Sequence, residues 1–410
     1  MRLDAVIFGG GVAGLWTLDR LTRQGCSAVL LESRALGFGQ TIGSQGIIHG
    51  GMKYSLQGWL TKSAQHIRKM PAVWQRALLG QSAPNLTQTT LRSEACFLWQ
   101  TDTFASAAGM LGARVGLQVT PEAVTAEERP EPLKQIAGTV SRLPEQVIHP
   151  ASLLEDFASQ YRQQLLLIDP ENGVKFDLAS AGEVSAIQLS DAQSGLSLSL
   201  KPSHVILTAG AGNARLRKQV GLNSEVMQRR PLHMVLVRGD LPELHGHCID
   251  GLRTRATITS DWDAQGRRVW QVGGQLAEDG VRMTPLQLTQ HAADELSAVL
   301  PKLKLGGTEW STYHIDRAEG ATESGARPET AQVLCAGNVT TGWPTKLALA
   351  PILADEIASR VQPRSTITPG FYEALAPWPR PPVAEYPWNE TTRPWWSVDI
   401  GQSKPRRRAA

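Results

Sequence analysis

The sequence has 410 residues, of which 41% are hydrophobic, and a formal net charge of +3. This length predicts two or three domains with a large core, and the small net charge argues against nucleic acid as a main partner. The four cysteines have no paired spacing, which argues against a disulfide framework or a metal site. A strand begins within four residues of the N terminus, and no apolar run could span a bilayer. We therefore expect a cytoplasmic protein without a signal peptide or a transmembrane segment.

The N-terminal segment has the pattern of a dinucleotide-binding unit. An apolar strand leads into Gly9, Gly11 and Gly14, spaced as Gly-x-Gly-x-x-Gly, and a helical pattern follows. A second apolar strand ends at Glu32, whose carboxylate would bind the ribose hydroxyls of an adenosine. The helix start would bind the pyrophosphate, and Glu32 favours FAD or NAD over NADP. The alternative is a glycine-rich turn in an ordinary βαβ unit.

The remaining elements alternate between two kinds of pattern. The segment 36–51 is rich in glycine and predicts a loop, and 80–145 mixes short strands with loops. Apolar periodicity predicts helices over 59–80, 153–165, 286–300 and 345–361, with a kink or a later start at Pro351 in the last one. Strand patterns cover 147–149, 174–178, 184–189, 204–209, 234–238, 257–259, 269–273 and 332–337.

These patterns predict an α/β fold with a discontinuous nucleotide-binding domain. That domain comprises 1–75, 145–221 and 325–362, and a β-rich, antiparallel substrate domain comprises 76–144 and 222–324. The tail, 363–410, holds nine of the 25 prolines and four of the twelve tryptophans, so we expect no regular structure there. Either the tail packs its tryptophans on the body, or it contacts a partner or an anionic surface such as a membrane.

The segment from Gly43 to Tyr54 has the sequence Gly-Ser-Gln-Gly-Ile-Ile-His-Gly-Gly-Met-Lys-Tyr. It is similar to a loop of the FAD-dependent glycerol-3-phosphate dehydrogenases and of the L-2-hydroxyglutarate oxidases. With two further motifs, it resembles the D-amino-acid oxidase-like superfamily of FAD enzymes. The resemblance implies that His49 lies beside the flavin and that Lys53 and Tyr54 contact the substrate. Lysine replaces the family's arginine at 53, which disfavours glycerol 3-phosphate itself because lysine cannot make a bidentate contact.

The second and third motifs lie near the end of the matched region. Arg327, in Gly-Ala-Arg-Pro, resembles the superfamily's Gly-x-Arg-Pro element, whose arginine reaches the anionic end of the substrate, although a plain turn is the alternative. The segment from Ala336 to Leu347 is similar to the turn that leads into the last flavin-binding helix. The resemblance implies that Lys346 lies near the pyrimidine end of the flavin.

Two histidine patterns and one Asp-Gly pair carry weaker signals. His233 precedes a strand of the second domain where some related enzymes place a histidine facing the flavin, and a buried structural histidine is the alternative. His245-Gly-His247-Cys248 has metal-ligand residue types but no second ligand pair, so we expect a turn and no metal. Asp279-Gly280 follows a strand of the second domain, which argues against a flavin monooxygenase.

The resemblance and the motifs together predict an FAD enzyme with a Rossmann-like domain of the glutathione reductase-2 type. The predicted function is removal of a hydride from a C–H bond next to a hydroxyl group on a small anionic substrate, a 2-hydroxy acid or a polyol phosphate. The electron acceptor would be oxygen or a quinone. Amine or amino-acid oxidation is the alternative among enzymes, and an FAD-containing binding module is the alternative outside them.

The predicted catalytic residues are His49, Lys53, Tyr54, His233 and Arg327. The predicted cofactor-binding residues are Gly9, Gly11, Val12, Ala13, Gly14, Glu32, Ser33, Thr41, Ser44, Gln45, Gly46, Ala209, Gly210, Gly337, Asn338, Lys346 and Leu347.

Overall fold

The computed structural model describes residues 1–51, 62–100, 122–250, 253–363 and 370–398. The strands are β1 (Arg2–Phe8), β2 (Ala28–Glu32), β3 (Leu91–Ser93), β4 (Cys96–Gln100), β5 (Glu122–Ala123), β6 (Val140–Leu143), β7 (Val147–Ile148), β8 (Leu165–Leu167), β9 (Val174–Ser180), β10 (Glu183–Ser190), β11 (Ser197–Leu207), β12 (Met227–Gly239), β13 (Gly246–Asp250), β14 (Arg253–Trp262), β15 (Arg268–Gly273), β16 (Glu309–Gly320), β17 (Gln332–Ala336), β18 (Val339–Trp343) and β19 (Trp396–Ser397).

The α-helices are α1 (Val12–Arg23), α2 (Lys62–Leu78), α3 (Pro150–Tyr161), α4 (Asn213–Gln219), α5 (Gln275–Asp279), α6 (Pro285–Val299), α7 (Ala350–Ala358) and α8 (Phe371–Leu375). Short 3-10 helices cover Glu131–Leu133, Arg162–Gln164, Gly210–Gly212, Gly280–Arg282, Leu347–Leu349 and Pro387–Asn389.

The first sheet has the order β17-β18-β11-β1-β2-β8, and its strands from β18 to β8 are parallel. β10 extends β11 as an antiparallel arm and pairs with β9. Helices cover the parallel strands, and Ile7, Leu30 and Ile206 at the centre of the sheet are fully buried. The carboxyl ends of these strands therefore form one edge, where ligands of such sheets bind.

The second sheet has the order β19-β16-β12-β15-β14-β13-β4-β6-β5. Its pairs are antiparallel except β13 with β4. The long β12–β16 ladder runs from Met227 opposite Gly320 to Arg238 opposite Glu309. One face packs α6 over a core that contains Trp99, Trp270 and Trp310. The other face contributes to the core that surrounds α1 and the first sheet.

Two irregular segments join the sheets. The loop after β2 runs between them, with an isolated bridge between Ile47 and Val147. The second segment, residues 370–398, we term the C-terminal strap. The strap carries Trp378 into the core on the outer side of the first sheet, pairs Val383 with Leu36, and adds β19 to the second sheet.

The strap and the last α/β unit correct two expectations. The tail was expected to lack regular structure, but α8 and β19 lie within the strap. One strand was expected over 332–337, but β17 and β18 form a hairpin there. α7 begins at Ala350 with Pro351 in its first turn, which confirms the later start because proline fits the first turn of a helix. The domain boundaries stay a prediction.

Candidate functional site

The glycine turn after β1 brings three elements into close contact. Gly9 has a φ of +104°, and a Cβ there would lie 2.5 Å from the Cα of Ala209, which follows β11. A Cβ at Gly14 would lie 2.0 Å from the carbonyl oxygen of Gly9. These two glycines are therefore required by the packing of β1, β11 and α1.

Gly11 differs from its neighbours because its Cβ position is nearly open. A Cβ there would meet only the Oγ1 of Thr41, at 3.2 Å. Gly11 is the N-cap of α1 and has no side chain that could cap that helix end. Of the first helical N–H groups, that of Val12 donates to Thr41 Oγ1 at 3.1 Å. The start of α1, with Ala13 in its first turn, is thus an open anion-binding site of the kind that a pyrophosphate occupies.

Glu32 ends β2 next to this helix start. Its Oε2 accepts the N–H of Gly10 at 2.6 Å, and its Oε1 accepts the N–H groups of Ser33 and Arg34 at 2.8 and 2.9 Å. A carboxylate has about four acceptor sites, so the three N–H groups leave about one, on Oε2, for a ribose hydroxyl. This remaining acceptor fits an adenosine ribose, and Ser33 contributes only its backbone N–H.

The loop beyond Thr41 is bound to the second sheet. Ser44 donates its hydroxyl to the carbonyl of Thr41, and Gln45 donates its amide to the carbonyls of Thr257 and Gln271. Gly46 has a φ of +72°, and its carbonyl accepts the N–H of Ile148. This loop therefore has a fixed path along the carboxyl edge of the first sheet.

The carboxyl ends of β11 and β18 complete this edge. The N–H of Ala209 donates to Asn213 Oδ1 at 2.8 Å, and Gly210 has a φ of +55°. After β18, Thr345 has a φ of 63°, a strained value for a β-branched residue, and its hydroxyl donates to Thr330. Such strain is concentrated at functional sites. Lys346 and Leu347 follow directly.

An unpaired donor also lies at the end of β18. The indole N–H of Trp343 is buried, and no hydrogen-bond partner for it occurs in the described parts of the chain. Buried donors are normally paired. The open helix start and the remaining acceptor site of Glu32 are features that a bound dinucleotide would satisfy.

The structure contradicts two of the predicted cofactor contacts, Gly337 and Asn338. They form the turn between β17 and β18, which lies at the amino end of β18, because Val339 pairs with Val205 and Thr341 pairs with Leu207. The amide of Asn338 bonds both backbone groups of Val184 at 2.9 Å. The two residues hold the β10 arm, at the edge opposite the glycine turn.

The structure also contradicts the expectation that His233 faces the cofactor. His233 is fully buried within β12, its Nδ1 lies 3.1 Å from the carbonyl oxygen of Gly280, and its ring stacks on His314. Alternate residues of a strand point to opposite faces, and it is Met234 that points toward Gln45 and the first sheet. His233 therefore has a structural position on the α6 side of the sheet.

His49 lies beside a buried carboxylate that the sequence analysis did not single out. The Oε2 of Glu145 lies 3.5 Å from His49 Nδ1 and 3.8 Å from His247 Nε2. Its Oε1 accepts the N–H of Gly50 at 2.6 Å, and His247 Nδ1 lies 2.9 Å from Thr257 Oγ1. No motif marks Glu145, whereas His247 belongs to the His-Gly-His-Cys pattern that was expected to be a turn.

Charge and burial set the protonation of this cluster. Burial lowers the pKa of His49 to about 4, and the contact with Glu145 opposes that shift, whereas the charges of His247 and Lys346 add to it. Burial opposes the ionisation of Glu145, but His247 and His49 outweigh burial and lower the pKa of this carboxyl below its usual range. At neutral pH the cluster therefore contains a carboxylate and a neutral His49.

Of the remaining predicted catalytic residues, the structure describes only Arg327. Arg327 is half-buried in the loop between β16 and β17, whose Thr330 binds Thr345 next to Lys346. Lys53 and Tyr54 lie outside the described residues. Within the described residues, the structure thus brings His49, Lys346 and the Arg327 loop to the carboxyl edge of the first sheet.

Comparison with known proteins decides the family. A model of the family described as FAD dependent oxidoreductase matches residues 4–358. The chain belongs to this family. A curated relative, a probable FAD-dependent oxidoreductase of Pseudomonas aeruginosa, is 38% identical over 393 residues, which are 95% of this chain and 98% of the relative. The crystal structure of that protein matches with a TM-score of 0.79 at 34% identity, over 95% of this chain and 98% of the other.

More distant structures of FAD-dependent oxidoreductases share the fold. Glycine oxidase from Geobacillus kaustophilus matches with a TM-score of 0.62 at 17% identity, over 90% of this chain and 98% of its own. L-alpha-glycerophosphate oxidase from Mycoplasma pneumoniae, with FAD bound, matches with a TM-score of 0.59 at 13% identity, over 95% of this chain and 98% of its own. The predicted α/β fold, the FAD cofactor and the oxidoreductase class are confirmed. No helix in the described parts of the chain is long and apolar enough to cross a membrane.

Proposed function

We propose that this FAD-dependent oxidoreductase removes a hydride from a carbon that carries a hydroxyl group, on a small anionic substrate of the 2-hydroxy acid or polyol phosphate type. The observation that carries the proposal is the position of Lys346, which follows the carboxyl end of β18. The positive charge of Lys346 contributes to the lowered pKa of His49. A fixed cation beside a neutral imidazole suits a substrate with an acidic group near its hydroxyl.

The acidic end of the substrate would bind Lys346 and Arg327. The Arg327 loop is held against Thr345 by the bond from the Thr345 hydroxyl to Thr330, so both cations border the same edge. A guanidinium binds a carboxylate or phosphate through two parallel N–H donors, whereas an ammonium acts as a point charge. We assign Arg327 to substrate binding and Lys346 mainly to stabilising negative charge during the reaction. Lys53 is proposed as a further contact.

The hydroxyl end of the substrate would face His49. Because its pKa is lowered to about 4, His49 offers a lone pair rather than a positive charge at neutral pH. Tyr54 is proposed as a second contact to the reacting group. FAD, held by the start of α1 and Glu32, would supply the hydride acceptor, and oxygen or a quinone is the proposed final electron acceptor.

Anaerobic mixing tests the reaction class. Purified holoenzyme is mixed with 2-hydroxy acids, polyol phosphates, amino acids and secondary amines, and absorbance is followed near the flavin band at about 450 nm. We expect bleaching by a hydroxy acid or a polyol phosphate. Bleaching only by amines would refute the hydroxyl assignment and favour an amine oxidase. Binding without bleaching by any compound would favour an FAD-containing binding module.

Variants of the two cations test substrate charge. We expect Arg327→Ala to raise KM much more than Lys346→Ala, because Arg327 would hold the substrate in both the ground state and the transition state. Lys346→Ala should mainly lower kcat. Sulfate should inhibit competitively. Arg360→Ala, which changes an arginine beyond the distal end of α7, is the matched control and should change neither constant. An unchanged KM in Arg327→Ala, together with no inhibition by sulfate, would refute the anionic substrate.

A further inference from the structure

Three metal-ligating side chains converge between the loop after β2 and the second sheet. One donor atom from each of His49, Glu145 and His247 lies within 4.8 Å of the others. The three residues come from separate segments: the loop after β2, the connection from β6 to β7, and β13. Two imidazoles and a carboxylate form a common ligand set of catalytic zinc sites and of ferrous sites.

The distances in this cluster fit a shared ion better than direct hydrogen bonds. His49 Nδ1 and His247 Nε2 lie 3.5 and 3.8 Å from Glu145 Oε2, longer than a good N–H···O bond. Two ligands of one zinc ion, each about 2.0–2.2 Å from it at a tetrahedral angle, are about 3.3–3.6 Å apart. The two nitrogens are thus close to ligand spacing from Glu145 Oε2, and they lie within 4.8 Å of each other.

The unused atoms of two of these ligands are held by neighbouring groups. Glu145 Oε1 accepts the N–H of Gly50, which leaves Oε2 toward the imidazoles. His247 Nδ1 bonds to Thr257 Oγ1, which directs Nε2 toward Glu145. Protein metal sites orient their ligands in this way, through a second hydrogen bond on the far atom of the ligand.

Burial and charge also favour a cation at this position. The side chains of Glu145 and His247 are 6% and 7% exposed. The side chain of His49 is 38% exposed, so an ion would reach the cluster on the His49 side. In the described parts of the chain, no lysine or arginine nitrogen lies within 4.0 Å of the Glu145 carboxylate. The positive charge of Lys346 acts on His49 and would repel a bound cation. The affinity for a metal ion would therefore depend on the Glu145 carboxylate.

We propose that His49, Glu145 and His247 bind one divalent transition-metal ion, with zinc as the ion that best matches the ligand set. Three protein ligands leave a fourth position on a tetrahedral ion. With the ion bound, His49 would give its Nδ1 lone pair to the metal, so the metal would replace His49 as the contact to the substrate. The fourth position would take the hydroxyl or carboxylate oxygen of a 2-hydroxy acid, and in this part the inference rests on the proposed function.

Equilibrium dialysis of the holoenzyme tests the site without any substrate. The protein is stripped with a chelator and dialysed against Zn²⁺, or anaerobically against Fe²⁺, and bound metal is measured by elemental analysis. We expect about one ion per chain, held with micromolar or tighter affinity. Glu145→Gln and His247→Gln should weaken binding at least tenfold, and Thr257→Val by about tenfold, because it removes the bond that orients His247. His291→Gln, on α6, is the control and should bind as the wild type does.

Flavin content and melting temperature show whether each variant is folded. His49→Gln changes a partly exposed side chain, and it provides a second test if a buried variant fails to fold. Less than about 0.1 ion per chain in the wild type, or equal binding in wild type and folded variants, would overturn the proposal. Zinc binding without bleaching by hydroxy acids or polyol phosphates would support the metal site and refute only the proposed function. Retention of Fe²⁺ but not Zn²⁺ would overturn the choice of zinc.

Discussion

Gly14 and Gly11 of the dinucleotide motif should respond differently to substitution by alanine. In Gly14→Ala the new methyl group would lie 2.0 Å from the Gly9 carbonyl oxygen, whereas ordinary contact begins near 3.4 Å. The start of α1 would have to move by roughly 1.4 Å, although Leu15 and Trp16 fix this helix in the core. Overpacking of this kind costs about 1–3 kcal/mol, and we expect the upper end because the atoms in contact are backbone.

Gly11→Ala should leave stability unchanged and weaken FAD binding. Its methyl group meets only the Thr41 hydroxyl, at 3.2 Å, but occupies the position where the backbone must approach a pyrophosphate. Urea unfolding of the apoproteins measures stability, and the flavin retained after gel filtration measures cofactor binding. Gly306→Ala, with no atom within 4 Å of its Cβ position, is the control. Equal stability of the Gly14→Ala and Gly11→Ala apoproteins would refute this packing argument.

Three further predictions follow from positions that the structure reassigns or leaves accessible to test. Asn338→Ala should lower the free energy of unfolding by about 1–3 kcal/mol, because two buried backbone groups of Val184 lose their partner, while the FAD content measured by absorbance stays unchanged. His233→Gln should lower the melting temperature without slowing flavin reduction in stopped-flow mixing, because the His233 ring contacts the Gly280 carbonyl. A large fall in the rate of flavin reduction in a stable variant would contradict this placement. Acid precipitation should release FAD into the supernatant, because neither His49 nor Cys335 lies in a recognised attachment motif, and a yellow pellet would show covalent attachment.

The features that the sequence predicts well are local ones. The glycine spacing, the apolar strands and Glu32 lie within 32 residues, so their pattern specifies the turn and the helix start directly. Lys346 follows the carboxyl end of β18, a strand that the sequence pattern did not predict, and its place near the flavin stays a prediction. The strand pattern was assigned to 332–337 alone, and β18 is short and contains two threonines and a glycine. As a result, Gly337 and Asn338 were assigned to the wrong edge.

The residues that sequence reasoning missed depend on contacts across the chain. Glu145 is a single acid beside Pro144, and only its distances to His49 and His247 show what it contacts. His247 lies 198 positions after His49, so no spacing rule connects them. His233 was assigned by analogy, but the face of a strand depends on register, and a shift of one residue reverses it.

The C-terminal strap has a consequence for how the protein unfolds. One continuous segment buries Trp378 against the first sheet, Trp388 in the shared core and Trp396 beside α6 of the second sheet. Neither sheet can lose its packing without releasing part of the same segment, so melting of one exposes apolar surface of the other. The two halves should therefore denature in one cooperative transition, with the C-terminal strap making one thermodynamic unit of two separate sheets.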